Sequence, residues 1–379
     1  MGTPVDEETP EIIELDENIT LEENGVCIGE NDNFITNGIL IENYGDDEEE
    51  VSIKNINISD DNSDILLKMK PPPKQITIKP EESYVNKITG LFNKGNTCYL
   101  NCFLQTFFCL EDFRNVLRKN ATDKNINFIL EIEKLRKGMD SSNNCMDTEH
   151  FFKVWSDKFT SFKRFTQQDS SEMFVLFLDL LHETCKEIPL ENSVKGDEHW
   201  EEWKKKRYTC MTDYFFNQTT SSTICRECSS VNRVSNQQSI IYLPVADSIL
   251  KSIENFCNPN EMTGDNKFKC DTCEDYQDAI NYTNITQMGK YLLINLLRYT
   301  MEDINKMVDI TEYLKNGELD YRLCATIIQQ GNMDNGHYVC FVRYGEEWIF
   351  CNDHVIRGVE NLFETDIIKK SYFLIYERV

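Results

Sequence analysis

Helix patterns first and strand patterns later predict an α+β fold for this 379-residue chain, preceded by a disordered acidic tail. Three observations carry that expectation. Residues 98–118 and 167–187 space their apolar side chains as helices do, the second with Met173, Phe174, Phe177, Leu178 and Leu181 on one wide face. From about residue 209 the texture turns to strand runs: Gln237–Leu243, Tyr291–Tyr299, Tyr321–Ile328, Tyr338–Tyr344, Trp348–Phe350 and Tyr372–Tyr376. The third is charge. Residues 1–82 hold 22 Asp and Glu against 5 Lys, a net of −17 out of −26 for the whole chain. So little apolar surface against so much charge cannot offset the entropy of ordering, so residues 1–86 read as a disordered tail and 87–379 as the folded domain.

The tail carries two aliphatic strips among acids, Glu11–Glu17 with Ile12, Ile13 and Leu15, and Gly38–Glu42. Strips of this kind can add a strand to an exposed sheet edge while their acids meet a basic rim; the other reading is an acidic tail with scattered aliphatics. The first resembles a SUMO-interacting motif. The Lys70–Lys74 stretch, with three prolines, reads as a short extended spacer.

Composition excludes some classes. Nucleic-acid binding needs clustered Lys and Arg, and anionic lipid repels a chain of this charge. No apolar run approaches the ~18 residues of a membrane span; the best, Tyr291–Leu297, is interrupted by Asn295. Met1–Pro10 is acidic and lacks the basic and apolar parts of a signal peptide. Fifteen irregularly spaced cysteines suit a reducing compartment. The expectation is an intracellular protein of the cytoplasm, the nucleus or both.

Within the domain, Cys98 follows the turn-rich loop Asn93–Thr97 and opens a helix. A thiol there sees the positive end of the helix dipole, which raises its thiolate fraction. Of five histidines, His150, His182 and His199 read as structural or surface groups, whereas His337 stands at the mouth of a strand and His354 lies on the neighbouring one. A strand-mouth imidazole makes Cys98 a candidate nucleophile and His337 its base. A third group should orient the ring. With Gly345-Glu346 as a two-residue hairpin loop, Tyr344 faces Glu347, Val339 faces Asn352, and Asn352 shares a face with His337. Asp353 then points to the other side, and a loop one residue longer or shorter would reverse the choice.

Two further pairs, Cys225-x-x-Cys228 and Cys270-x-x-Cys273, are separated by 41 residues. Four thiolates make a closed tetrahedral site, so a structural zinc is expected, and no organic cofactor.

Taken together, these segments resemble the ubiquitin-specific proteases, papain-like cysteine deubiquitinases, over residues 88–379. Gly90–Asn101 resembles the family's cysteine box, and Gln167–Met173 its glutamine-aspartate box. Glu261–Lys267 is similar to the segment leading into the second zinc knuckle, and Leu292–Tyr299 to the central strand. Gly336–Tyr338 with Trp348–Asp353 looks like the histidine box, and Ser371–Arg378 like the closing strand. The resemblance implies a papain-like thumb (about 87–208), zinc-ribbon fingers (about 209–290) and palm (about 291–379). Ubiquitin and ubiquitinated proteins would be its partners, and hydrolysis at the terminal glycine its chemistry. It implies Asn352 as third triad member with Asp353 the adjacent acid, and Asn93 as oxyanion donor. Asp169 and Glu172 would meet the basic ubiquitin tail, and Tyr338 would line its channel. Asp169 and Glu172 also read as a helix-start pattern. Met173, Asn217 and Gly289 depart from the family pattern, leaving finger shape and chain-linkage preference open. A ubiquitin-binding scaffold without turnover, or a protease for another ubiquitin-like modifier, are the competing readings.

Overall fold

A computed structural model describes residues 88–110, 126–141, 145–163, 165–189, 195–298, 304, 306–316, 319–331 and 336–379. The acidic tail and its strip Ile12, Ile13 and Leu15 lie outside the described residues.

Helices fill the first part: α1 (Cys98–Phe108), α2 (Ile126–Ser141), α3 (Glu149–Lys158), α4 (Ser170–Thr184), α5 (Glu198–Lys206) and α6 (Cys210–Phe215). All eleven residues of α1 are buried. Its sequence is apolar almost all round, which suits a central helix and no other position. Phe103 meets Phe174 and Phe177 edge-on at 4.7 Å, Phe107 meets Phe177 at 4.6 Å, and Phe174 stacks on Phe373 at 4.8 Å. These contacts weld α1 and α4 to each other and to the last strand. The expected helix over 98–118 stops at Phe108, where the Cys109 N–H closes onto Gln105 and Phe107 carbonyls; residues 111–118 lie outside the described residues. The 167–187 helix is trimmed to 170–184 because Asp169 caps it, its carboxylate accepting from the Ser171 and Glu172 N–H groups.

The strands are β1 (Asn217–Cys225), β2 (Val231–Gln238), β3 (Ile240–Leu243), β4 (Asn260–Met262), β5 (Phe268–Cys270), β6 (Asp275–Gln277) and β7 (Ala279–Gln287). They continue with β8 (Tyr291–Leu296), β9 (Tyr313–Asn316), β10 (Leu319–Gln330), β11 (His337–Tyr344), β12 (Glu347–Asn352), β13 (Val355–Val359) and β14 (Ser371–Arg378). The large sheet runs β13-β12-β11-β10-β14-β8-β3, with β9 on β10. A separate sheet, β2-β1-β7-β4, projects the β5–β6 hairpin. The expected strand 237–243 breaks at Ser239: β2 stays with the smaller sheet, while β3 crosses over to pair in parallel with β8.

Alternation along β11 and β14 divides the large sheet between two cores. Tyr338, Cys340, Val342, Phe373 and Ile375 pack on the helices, and Val339, Phe341, Leu374 and Tyr376 on the opposite side with α7 (Ile249–Cys257). The β11–β12 hairpin turns at Gly345-Glu346 with Tyr344 opposite Glu347 and Cys340 opposite Cys351, the expected register. One expectation is corrected. His354 is not on a strand: with Asp353 it forms the two-residue turn between β12 and β13, where Asn352 pairs with Val355. No helix among the described residues is long and apolar enough to cross a membrane.

Candidate active site and metal centre

The loop before α1 is tied by its own polar residues. Asn93 Oδ1 accepts from the Gly95 N–H at 3.0 Å and the Thr97 N–H at 3.1 Å, and Thr97 Oγ1 accepts from the Lys94 N–H at 2.9 Å. Gly95 sits at φ +97°, and a Cβ there would lie 2.5 Å from the Phe165 ring. The loop delivers Cys98 as the first helical residue, with no acid in the first turn to offset the dipole.

His337 opens β11, and its Nε2 lies 2.7 Å from Asn352 Oδ1. The imidazole is raised from 6.5 to about 9, first by its hydrogen bond with the Cys98 thiol, against burial, and then by Asn352 and the charges of Cys98 and Asp353. The imidazole therefore has the thiol and the Asn352 amide as its two side-chain partners.

Asp353 has a different position. At φ +50° it leaves the strand, and its carboxylate receives Asn93 Nδ2 at 3.0 Å and Asn101 Nδ2 at 2.7 Å. The backbone supports the same link, since the Leu91 N–H donates to the Asp353 carbonyl at 2.9 Å. Gly90 lies so close that a Cβ would come within 2.5 Å of the His354 carbonyl oxygen. The cysteine loop is thus fastened to the turn after β12, and one carboxylate orients two amides.

Two residues here carried no role in the sequence. Asn101, buried on α1, also donates toward the Leu91 and Phe92 carbonyls. Gln167 sends Nε2 to the Gly336 carbonyl at 2.7 Å and presents Oε1 to the Cys98 thiol at 3.9 Å. The available signal was a polar run, Gln167-Gln168-Asp169, placed against an otherwise apolar helix.

At the α4 N-terminus, Asp169 Oδ1 accepts from the Ser171 N–H, the Ser171 hydroxyl and the Tyr372 hydroxyl at 2.6–2.8 Å. Glu172 is raised above the usual carboxylate range by burial and by Asp169. The Tyr242 phenol is likewise raised by burial and by both carboxylates. Asp169, Glu172 and Tyr242 form an acidic patch at the α4 N-terminus. Tyr338 is placed otherwise: it is buried against Tyr372, ring centroids 5.9 Å apart, on the face of β11 opposite His337.

The four knuckle sulfurs, of Cys225, Cys228, Cys270 and Cys273, all lie within 4.8 Å of one another. Cys225 is 3.9 Å from Cys273, and Cys228 is 3.5 Å from Cys270. A tetrahedral ion with bonds of about 2.3 Å sets sulfurs about 3.8 Å apart, so the set fits one zinc-sized ion. Each knuckle is closed one residue after its second cysteine by a left-handed residue, Ser229 at φ +58° and Glu274 at φ +57°. The Cys225 N–H bonds the Ser230 carbonyl at 3.0 Å. The site is closed by thiols and offers no free position for chemistry.

A family model described as ubiquitin carboxyl-terminal hydrolase matches residues 89–376. Ubiquitin carboxyl-terminal hydrolase Usp2 of Drosophila melanogaster is 24% identical over 328 residues, covering 77% of this chain and 35% of that protein. Ubiquitin carboxyl-terminal hydrolase 4 of Vanderwaltozyma polyspora is 25% identical over 362 residues, covering 76% of this chain and 41% of that protein. The chain thus spans well under half the length of these two. Ubiquitin carboxyl-terminal hydrolase 27 of Homo sapiens is 21% identical over 379 residues, 83% of each. Among solved structures, a SAGA DUB module of Ubp8, Sgf11, Sus1 and Sgf73 bound to monoubiquitin aligns with a TM-score of 0.64 at 16% identity, over 80% of this chain and 72% of that chain. That likeness is one of fold. With the family model running from the loop before Cys98 to the last strand, the chain belongs to the ubiquitin carboxyl-terminal hydrolase family of ubiquitin-specific proteases.

Proposed function

We propose that this chain is a deubiquitinase that hydrolyses isopeptide and peptide bonds after the terminal glycine of ubiquitin, with Cys98, His337 and Asn352 as its triad. The observation that carries the reading is the His337–Asn352 contact of 2.7 Å with the imidazole held against the Cys98 thiol. The monoubiquitin held by the Ubp8 module, which shares this fold, supports ubiquitin as the partner.

In the first step His337 takes the Cys98 proton and the thiolate sulfur attacks the glycine carbonyl carbon. The resulting oxyanion accepts from the Cys98 backbone N–H and from Asn93 Nδ2, whose other hydrogen stays on Asp353. The imidazolium then gives its proton to the leaving lysine amine, the C–N bond breaks, and a thioester remains. Water, deprotonated by His337, attacks the thioester and returns the thiol. Asn352 accepts from the imidazole N–H throughout and stabilises the cation. Asp353 acts one step back, through Asn93. The Asp169–Glu172 patch would receive basic side chains of the ubiquitin tail. The four knuckle cysteines would hold zinc as a structural ion, with no part in the chemistry. A free nucleophilic thiol and thiolate ligands both need a reducing, intracellular compartment.

The test is cleavage of a fluorogenic ubiquitin–lysine isopeptide, with matched substrates carrying SUMO and other ubiquitin-like modifiers. Wild type should turn over the ubiquitin substrate and Cys98→Ala should not; turnover of another modifier in preference to ubiquitin would reassign the substrate, and binding without cleavage would favour the scaffold. Asn352→Ala should cost about 10- to 100-fold in kcat, the worth of one hydrogen bond to a charged group. Asn93→Ala should cost about 10²–10³-fold. An Asn352→Ala enzyme at wild-type rate would move the triad role to Asp353.

A further inference from the structure

The geometry points to Gln167 as an additional catalytic residue, bridging the nucleophile and the strand that carries its base. This rests on the assignment of Cys98 and His337 above and adds a fourth side chain to it.

The bridge crosses the cleft between the helical part and the large sheet. Gln167 lies just ahead of α4, and Gly336 just ahead of His337 on β11. Its amide end donates to the Gly336 carbonyl at 2.7 Å, and its carbonyl end faces the Cys98 Sγ at 3.9 Å. The orientation of the amide follows from chemistry. A backbone carbonyl only accepts, so Nε2 must face Gly336, and Oε1 is left for the thiol hydrogen. The segment is braced on both sides. Gln168 Nε2 reaches Thr166 Oγ1 at 2.9 Å, and Asp169 is fixed by the Tyr372 hydroxyl at 2.8 Å. Few side chains other than Gln or Asn can accept from a thiol and donate to a carbonyl at once, and only the longer one spans this gap.

The consequence is twofold. While the sulfur carries its hydrogen, that hydrogen has two acceptors, the imidazole and the Gln167 carbonyl at 3.9 Å, so the sulfur is kept beside the imidazole. When the proton passes to His337 that carbonyl loses its donor, and the contact is given up as the glycine tail enters. The Gly336 tie meanwhile holds the residue before β11 to the segment ahead of α4. Among the described residues, Tyr99 and Cys102 on α1 and His337 on β11 are the titratable groups that couple to the thiol, with Asp353 coupled to His337; substitutions at 167 leave all four in place.

The experiment uses the full chain and the variants Gln167→Glu and Gln167→Ala, each checked for an unchanged thermal melt. Alkylation of Cys98 by iodoacetamide is followed by peptide mass spectrometry across pH, and kcat and KM are measured on the ubiquitin isopeptide. In Gln167→Glu a carboxylate replaces the amide beside the thiol, and the alkylation midpoint should move to higher pH by about one unit or more. In Gln167→Ala kcat should fall about tenfold with KM within about twofold, the loss of hydrogen bonds rather than of ubiquitin binding. A Gln167→Glu curve that coincides with wild type, or a Gln167→Ala enzyme at wild-type kcat, overturns the bridge. If wild-type Cys98 itself does not carry the ubiquitin adduct, the failure belongs to the nucleophile assignment and not to Gln167.

Discussion

Replacing His337 with alanine is expected to lower kcat/KM by about 10²–10⁴-fold, the usual share of a positioned acid–base group. In the proposed reaction the ring takes the thiol proton and returns it to the leaving amine, and among the described residues no other imidazole faces Cys98. His182 is held by Thr209 at 2.9 Å and is pushed down to about 4, first by burial. His150 on α3 pairs with Glu131 on α2 at 2.7 Å, and His354 sits in the turn after β12. The same residue sets a pH dependence of stability. Its value is raised to about 9 from 6.5, so the protonated ring stabilises the fold fully below pH 6.5, and that contribution is lost as pH rises through about 9. Melting temperatures of wild type and His337→Gln should differ most below pH 6.5 and converge above 9. A constant difference across that range would mean that the ring is held by packing alone.

Metal removal should have the second large effect, and a local one. Apart from the knuckles, β5 and β6 pair only with each other, so four thiolates on one ion would tie that hairpin to the turn after β1. Elemental analysis should find one zinc per chain. In Cys270→Ser, amides of β5, β6 and the Cys225–Ser230 turn should exchange with deuterium at least about 10²-fold faster, because structural zinc binding is itself folding free energy. The β10–β14 and β11–β12 ladders should keep their protection, and turnover should fall through KM. A chain free of metal with the hairpin equally protected would show that the thiols pack without an ion.

The parts of the site that were legible in the sequence are the ones carried by short local patterns. Cys98 shows because a turn-rich loop meets an apolar helix, and the knuckles show because Cys-x-x-Cys recurs. Asn352 shows because a two-residue hairpin fixes register, and register fixes faces. What stayed hidden depends on contacts between distant segments. Gln167 meets Gly336 across 169 positions, and Asn101 meets Asp353 across 252, so no local pattern announces either. Strict alternation could have placed Tyr338 opposite His337, where the structure buries it. The strand β1, Asn217–Cys225, is polar yet mostly buried, and it lacks the apolar alternation that marks a strand. Its hydroxyls are satisfied sideways, with Thr220 bonded to Ser235 and Thr286, and Asn281 bridging Ser221 and Thr223. The break at Ser239 was equally silent, because β3 is recruited by β8 and not by its own neighbour in sequence.

Every role assigned above depends on Cys98 being the nucleophile that meets the ubiquitin tail. The most direct measurement is to incubate the full chain with ubiquitin bearing a C-terminal electrophile and to locate the adduct by peptide mass spectrometry. The structure predicts one ubiquitin per chain, on Cys98, and none on Cys98→Ala. An adduct on any other of the fifteen cysteines, one that persists in Cys98→Ala, or no adduct in the wild type would contradict it.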